Sequence, residues 1–113
     1  IGAQGSGLQV LNRKHQWIDA VAESDELMVN IGDMLSRLTN NYLPSTIHRV
    51  VNPPKESWGS SRYSLPFFMH PIPQMPLNCL PQTINNDYPK KYEDILAGDF
   101  LHQRLVELGL IKK

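Results

Sequence analysis

Cysteine is almost missing from this chain: Cys79 stands alone in 113 residues. An internal disulfide framework is thereby excluded, and a reducing compartment fits. No apolar run approaches the ~20 residues that a membrane-spanning helix requires, and no basic-then-apolar leader opens the sequence. Charge of one sign is not in excess either, since 11 Lys and Arg balance 11 Asp and Glu. The basic residues are scattered, so no stripe is offered for counterion-release binding to nucleic acid. These absences fit a cytoplasmic protein that takes a small neutral or anionic molecule, with neither nucleic acid nor membrane as partner. An initiating Met is lacking as well, and Ile1-Gly2-Ala3-Gln4 reads as a point inside a longer protein. Finally, no histidine has an acid two places on: His15 precedes Gln16-Trp17, His48 precedes Arg49-Val50, His70 precedes Pro71-Ile72 and His102 precedes Gln103-Arg104.

The residues that are present suggest one domain or part of one. Short apolar runs separated by turn residues predict strands at Leu8–Leu11, Gln16–Val21, Leu27–Ile31, Ile47–Val51 and Arg62–Met69. Asn12-Arg13-Lys14-His15 is a polar hairpin connection, after which Trp17 is placed for cross-strand packing. Asp33 is an expected N-cap for a short helix over Met34–Leu38, and Asn40-Asn41 would stop it. Pro53-Pro54 and the serines that follow direct a loop that would lay the His48 and Arg62 strands side by side. Six prolines, at 66, 71, 73, 76, 81 and 89, predict an extended surface wrap up to Tyr92. The apolar spacing of Ile95, Leu96, Phe100, Leu101, Leu105 and Leu108 predicts an amphipathic helix over 93–108, closed by Gly109 as the C′ residue. The expected organisation is thus a β core over 1–70, the wrap over 71–92 and the helix over 93–109. Cys79 is expected to be a packed thiol.

The chemistry concentrates in the middle of the chain. His48 can give a neutral ring nitrogen to a metal, and Arg62 offers a planar fork of donors that matches a carboxylate in two parallel hydrogen bonds. Ser64 would face the same side of a strand two residues on. A two-histidine, one-carboxylate iron site needs a His-x-Asp or His-x-Glu pair besides a distal histidine, and the chain has no such pair.

In order and spacing, Gly7-Leu8-Gln9-Val10, Val29-Asn30-Ile31-Gly32-Asp33, Leu38-Thr39-Asn40, Ser45-Thr46-Ile47-His48-Arg49-Val50 and Arg62-Tyr63-Ser64 with Phe67-Phe68 and Pro71 resemble the C-terminal region of the isopenicillin-N-synthase-like Fe(II)/2-oxoglutarate oxygenases. The resemblance implies a mainly β fold, a partial double-stranded β-helix or jelly roll with a short helix and a C-terminal amphipathic helix. It implies Fe(II) as metal with His48 as its distal ligand, and 2-oxoglutarate as co-substrate held by Arg62 and Ser64, with Asn30 ordering the site or touching the co-substrate. The expected parent enzyme oxidises a small organic molecule with O2, hydroxylation being the default outcome. The missing His-x-Asp pair would lie just upstream of Ile1, so the chain by itself is expected to be inactive. Two carboxylates satisfy the Arg62 motif: that of 2-oxoglutarate, and that of a peptide substrate as in the isopenicillin N synthases, which do not use 2-oxoglutarate. A non-catalytic jelly-roll binding module is the further alternative. Open sheet edges would favour a homo-oligomer.

Overall fold

The computed structural model describes residues 7–23, 25–52, 54–59, 61 and 63–112. The first six residues, Pro53 and Arg62, each assigned a part above, lie outside these. Two compact units make up the chain, one of residues 1–30 and 46–68, the other of residues 31–45 and 69–113.

The first unit is built on β1 (Leu8–Leu11), β2 (Trp17–Asp19) and β3 (His48–Val50), an antiparallel sheet in the order β2-β1-β3. The expected hairpin joins β1 to β2. Asn12 organises it: its side-chain Oδ1 accepts from the backbone N–H of Lys14 at 2.8 Å and of Gln16 at 3.0 Å, and its carbonyl accepts from the N–H of His15 at 3.0 Å. His15 takes the left-handed conformation, φ 57°, that a three-residue hairpin loop needs at its last position. This sheet is one layer of the mainly β, partial jelly-roll architecture.

Two expected strands are not formed among the described residues. Leu27–Ile31 and residues 63–69 join no ladder, so β3 is paired with β1 and not with the segment after Arg62. Apolar and β-branched composition gives a segment the capacity to pair, whereas a strand exists only where a partner is present. Pro66 also lacks a donor within its run.

The second unit holds the buried core: Leu77, Ala97 and Phe100, with Met34, Met75 and Ile95 packed against them. Leu77 is 1% exposed and Cys79 7%, so the proline-rich segment is not merely a surface wrap. Its backbone explains this. Leu77 N–H donates to Ile95 O at 2.8 Å and Ala97 N–H to Met75 O at 2.9 Å, flanking a bridge between Pro76 and Leu96 where the proline's missing donor costs nothing. The same bridge holds Ile95 and Leu96 extended, so α2 runs over Ala97–Glu107 and starts later than the apolar spacing predicts. Gly98 sits where a Cβ would come within 2.9 Å of Pro73 Cβ, and its N–H donates to Pro73 O at 2.9 Å.

Helix α1 covers Asp33–Leu38 with Gly32, not Asp33, as N-cap. The extended Gly32 backbone starts the helix, and Asp33 lies inside the first turn, where its carboxylate complements the helix dipole and lies 3.4 Å from Arg104. Both helices end in the same way. Asn40 N–H donates to Arg37 O and Asn41 N–H to Ser36 O after α1, while Gly109 N–H donates to Val106 O and Leu110 N–H to Leu105 O after α2. These are Schellman closures, with Asn40 (φ 50°) and Gly109 (φ 72°) as the left-handed C′ residues.

Asn40 is 4% exposed, and its amide joins three distant stretches. Nδ2 donates to Thr83 O at 3.1 Å and Pro89 O at 3.2 Å, and Oδ1 accepts from Lys91 N–H at 2.8 Å and Cys79 Sγ at 3.7 Å. Asn40→Gly keeps the backbone conformation but leaves those buried groups unpaired, and should cost about 2–3 kcal/mol. Asn40→Ala adds left-handed strain and should cost ~1 kcal/mol more. Urea unfolding followed by the helical circular-dichroism signal checks both the losses and their order.

Candidate functional site

The candidate site is placed by the pairing of β3 with β1, in which Leu8 opposes Val50, Gln9 opposes Arg49 and Val10 opposes His48. Flanking hydrogen bonds, Val51 N–H to Gly7 O at 2.8 Å and Leu11 N–H to Ile47 O at 2.9 Å, fix the phase of the ladder. Alternation then makes Gln9 and Arg49 a hydrogen-bonded pair and Val10 and His48 a non-hydrogen-bonded pair, the closer kind, with Cα atoms about 4.5 Å apart.

Because side chains alternate, each face of the sheet has its own character. Leu8, Val10, Ile18, His48 and Val50 share one face, an apolar surface with one imidazole. It is not closed over by the described residues: Ile18 is 47% exposed and Val50 70%. Gln9, Leu11, Trp17, Asp19 and Arg49 share the other. There Arg49 Nε donates to Gln9 Oε1 at 2.9 Å, Gln9 Nε2 donates to Asp19 Oδ1 at 2.9 Å, and the Arg49 guanidinium carbon lies 4.2 Å from the centroid of the Trp17 ring. Reading the sequence missed this polar ladder, although Gln9 inside an apolar strand, with Trp17 and Asp19 two apart on the return strand, was a visible cue.

His48 Nδ1 lies 3.1 Å from the carbonyl oxygen of Thr46. A carbonyl has no proton to give, so Nδ1 carries the hydrogen and the lone pair of the neutral ring is left on Nε2. That is the arrangement in which a metal-binding imidazole gives one nitrogen to the metal and anchors the other on a backbone oxygen. The ring is solvent-exposed, which leaves Nε2 open. His48 therefore fits one position of an Fe(II) ligand set. The remaining positions are not filled from here, since among the described residues no group of three or more His, Cys, Asp or Glu side chains is gathered for a metal.

Asn30 is exposed, two residues before the α1 N-cap, and Ser64 is exposed outside any strand. Arg62 lies outside the described residues. Among the described residues no hydrogen bond joins His48, Asn30 and Ser64. Cys79 is buried, as expected, with its thiol 3.4 Å from Arg37 O.

The register makes a prediction of its own. Val10→His should set a second imidazole beside His48 on the same face, close enough to chelate. Cu(II), which binds nitrogen ligands most strongly among the divalent first-row ions, should then bind at least about tenfold more tightly than to the unsubstituted chain. Calorimetric titration measures this, and Gln9→His, on the far face, should show no such gain.

Comparison with known proteins places this geometry. Residues 1–71 match the family model of the 2OG-Fe(II) oxygenase superfamily. The chain is 41% identical, over 106 residues, to the 2-oxoglutarate-Fe(II) type oxidoreductase ppzC of Metarhizium rileyi, covering 90% of this chain and 26% of that protein. A crystal structure of a 2OG-Fe(II) oxygenase family protein from Caulobacter crescentus superposes with a TM-score of 0.89 at 49% identity, over 96% of this chain and 36% of that one. A full-length Neurospora crassa protein, crystallised in complex with alpha-KG, superposes with a TM-score of 0.76 at 38% identity, over 89% of this chain and 31% of that one. The chain spans about a quarter of the length of the curated relatives it matches.

Proposed function

As the chain belongs to the 2OG-Fe(II) oxygenase superfamily, we propose that it is the C-terminal part of one jelly-roll domain of an Fe(II)/2-oxoglutarate-dependent dioxygenase acting on a small organic molecule. The observation that carries this reading is His48: an exposed imidazole on the apolar sheet face, its Nδ1–H held by Thr46 and its Nε2 open. His48 would hold the metal from this chain, with a His-x-Asp pair contributed from outside it. When bound, Fe(II) supplies the redox chemistry that couples O2 and the 2-oxo acid to oxidation of a C–H bond, by default hydroxylation.

This chain's own residues bind and orient. The apolar side chains of β1 to β3 flank the imidazole on its own face of the sheet. Arg62, with the Ser64 hydroxyl, binds the distal carboxylate of 2-oxoglutarate as a two-pronged donor. Asn30 orders the mouth of the site. The 2-oxoglutarate in the names of the relatives and the alpha-KG bound to the Neurospora protein support that co-substrate over the carboxylate of a peptide substrate. No helix among the described residues is long and apolar enough to cross a membrane. A cytoplasmic setting, a small-molecule substrate with O2, and no nucleic-acid or membrane partner complete the proposal. The apolar face and sheet edges left uncovered among the described residues would make the 113-residue chain self-associate.

Succinate release and calorimetry, on this chain and on a protein extended upstream to include the His-x-Asp pair, test the reading. Turnover is expected only in the extended protein, and His48→Ala should abolish it there. Arg62→Lys should raise the KM for 2-oxoglutarate by at least about tenfold through loss of the fork. Extended protein that neither binds Fe(II) nor releases succinate would refute the proposal. Sedimentation of the chain alone should show a dimer or larger species, and a compact monomer would count against self-association.

A further inference from the structure

We propose that Arg49 is a positioning residue for His48: from the far face of the sheet its guanidinium fastens β3 to both other strands and so holds the His48 ring with Nε2 presented. The proposal rests on the reading of His48 as a metal ligand. Arg49 follows the ligand directly and points the opposite way, so its contacts and those of His48 are made on different faces of one short strand.

Three observations carry it. β3 has only the three residues His48–Val50, and its ladder partner among the described residues is β1 alone. So short an edge strand is weakly held by its backbone. Arg49 adds two attachments of different kinds: its Nε–H donates to Gln9 on β1 at 2.9 Å, and its guanidinium carbon lies 4.2 Å from the Trp17 ring centroid on β2. Gln9 is itself tied to Asp19 on β2 at 2.9 Å. One guanidinium thus spans the sheet at the register position next to the ligand, and shifting or twisting β3 there would break both attachments. The His48–Thr46 contact joins the first residue of β3 to the residue two places before it, so it depends on how that end of the strand is held. Only Arg makes both attachments, because its fork gives a sideways Nε–H while its charge lies over the ring; Lys keeps a charge over the indole and loses the planar donor.

The test is chosen to separate positioning from mere stability. The chain is labelled with 15N-histidine, and the His48 ring signals, assigned with His48→Gln, are read at alkaline pH without metal. Wild-type His48 is expected as the Nδ1–H tautomer. Arg49→Ala should move the ring signals toward the tautomer mixture of a free imidazole, and Arg49→Lys should fall between. Asn40→Ala, which lowers stability from the other unit, should leave them unchanged. In the extended protein, Arg49→Ala should weaken Co(II) binding about fivefold and Arg49→Lys about twofold. Ring signals and Co(II) affinity that stay at wild-type values in Arg49→Ala would overturn the proposal, whatever happens to stability. A wild-type extended protein that binds no Co(II) would overturn the ligand reading instead, a failure distinguishable because the ring signals are read without metal.

Discussion

The pairing of Gln9 with Arg49 is the constraint on which the candidate site depends. Side chains on a strand alternate with a period of two, so a slip of one residue between β1 and β3 would carry His48 to the polar face and Arg49 to the apolar one. The ladder resists this with chemistry matched to each face. On one side Arg49 finds an amide, an aromatic ring and, through Gln9, a carboxylate; on the other His48 lies among Leu8, Val10, Ile18 and Val50. A slipped Arg49 would lose those partners and set its charge among aliphatic side chains, which is costly. The metal-ligand role proposed for His48 inherits its direction from that match.

The second unit is held by a different device. Its helices are short, and α1 at six residues would not persist alone in water. What fixes it is closure at its end, where Asn40 turns the chain through a left-handed residue and then satisfies backbone groups 43, 49 and 51 residues away. Arg37 in the preceding turn lies 5.2 Å from the ring centroids of both Tyr92 and Phe100 and donates to Glu93 O at 2.6 Å. The proline-rich stretch is held in the same way, by a backbone bridge at Pro76 and Leu96 that seats Leu77 in the core.

Local signals in the sequence were reliable where local structure decides. The polar Asn12–His15 connection, the strand at Leu8–Leu11, the strand carrying His48 and the closing role of Gly109 all follow from neighbours in the chain. Leu27–Ile31 and the run after Arg62 look equally strand-like, and fail because pairing needs a partner that composition does not specify. The late start of α2 and the burial of Leu77 stem from the bridge between Pro76 and Leu96, which are too far apart in sequence for helical periodicity to register. Asn40 was legible as a helix stop but not as a junction, since its partners are scattered along the chain. His48 was legible as a ligand candidate from its residue type and the surrounding motif, whereas which ring nitrogen is left open required the position of the Thr46 carbonyl.

The most direct measurement is the cross-strand nuclear Overhauser pattern of β1 and β3. A strong Hα–Hα cross-peak between Val10 and His48 is the signature of their close, non-hydrogen-bonded pairing and of an imidazole on the apolar face. A cross-peak from Val10 to Ile47 or Arg49 in its place would mean a register one residue away, with His48 on the polar face, and would contradict the account.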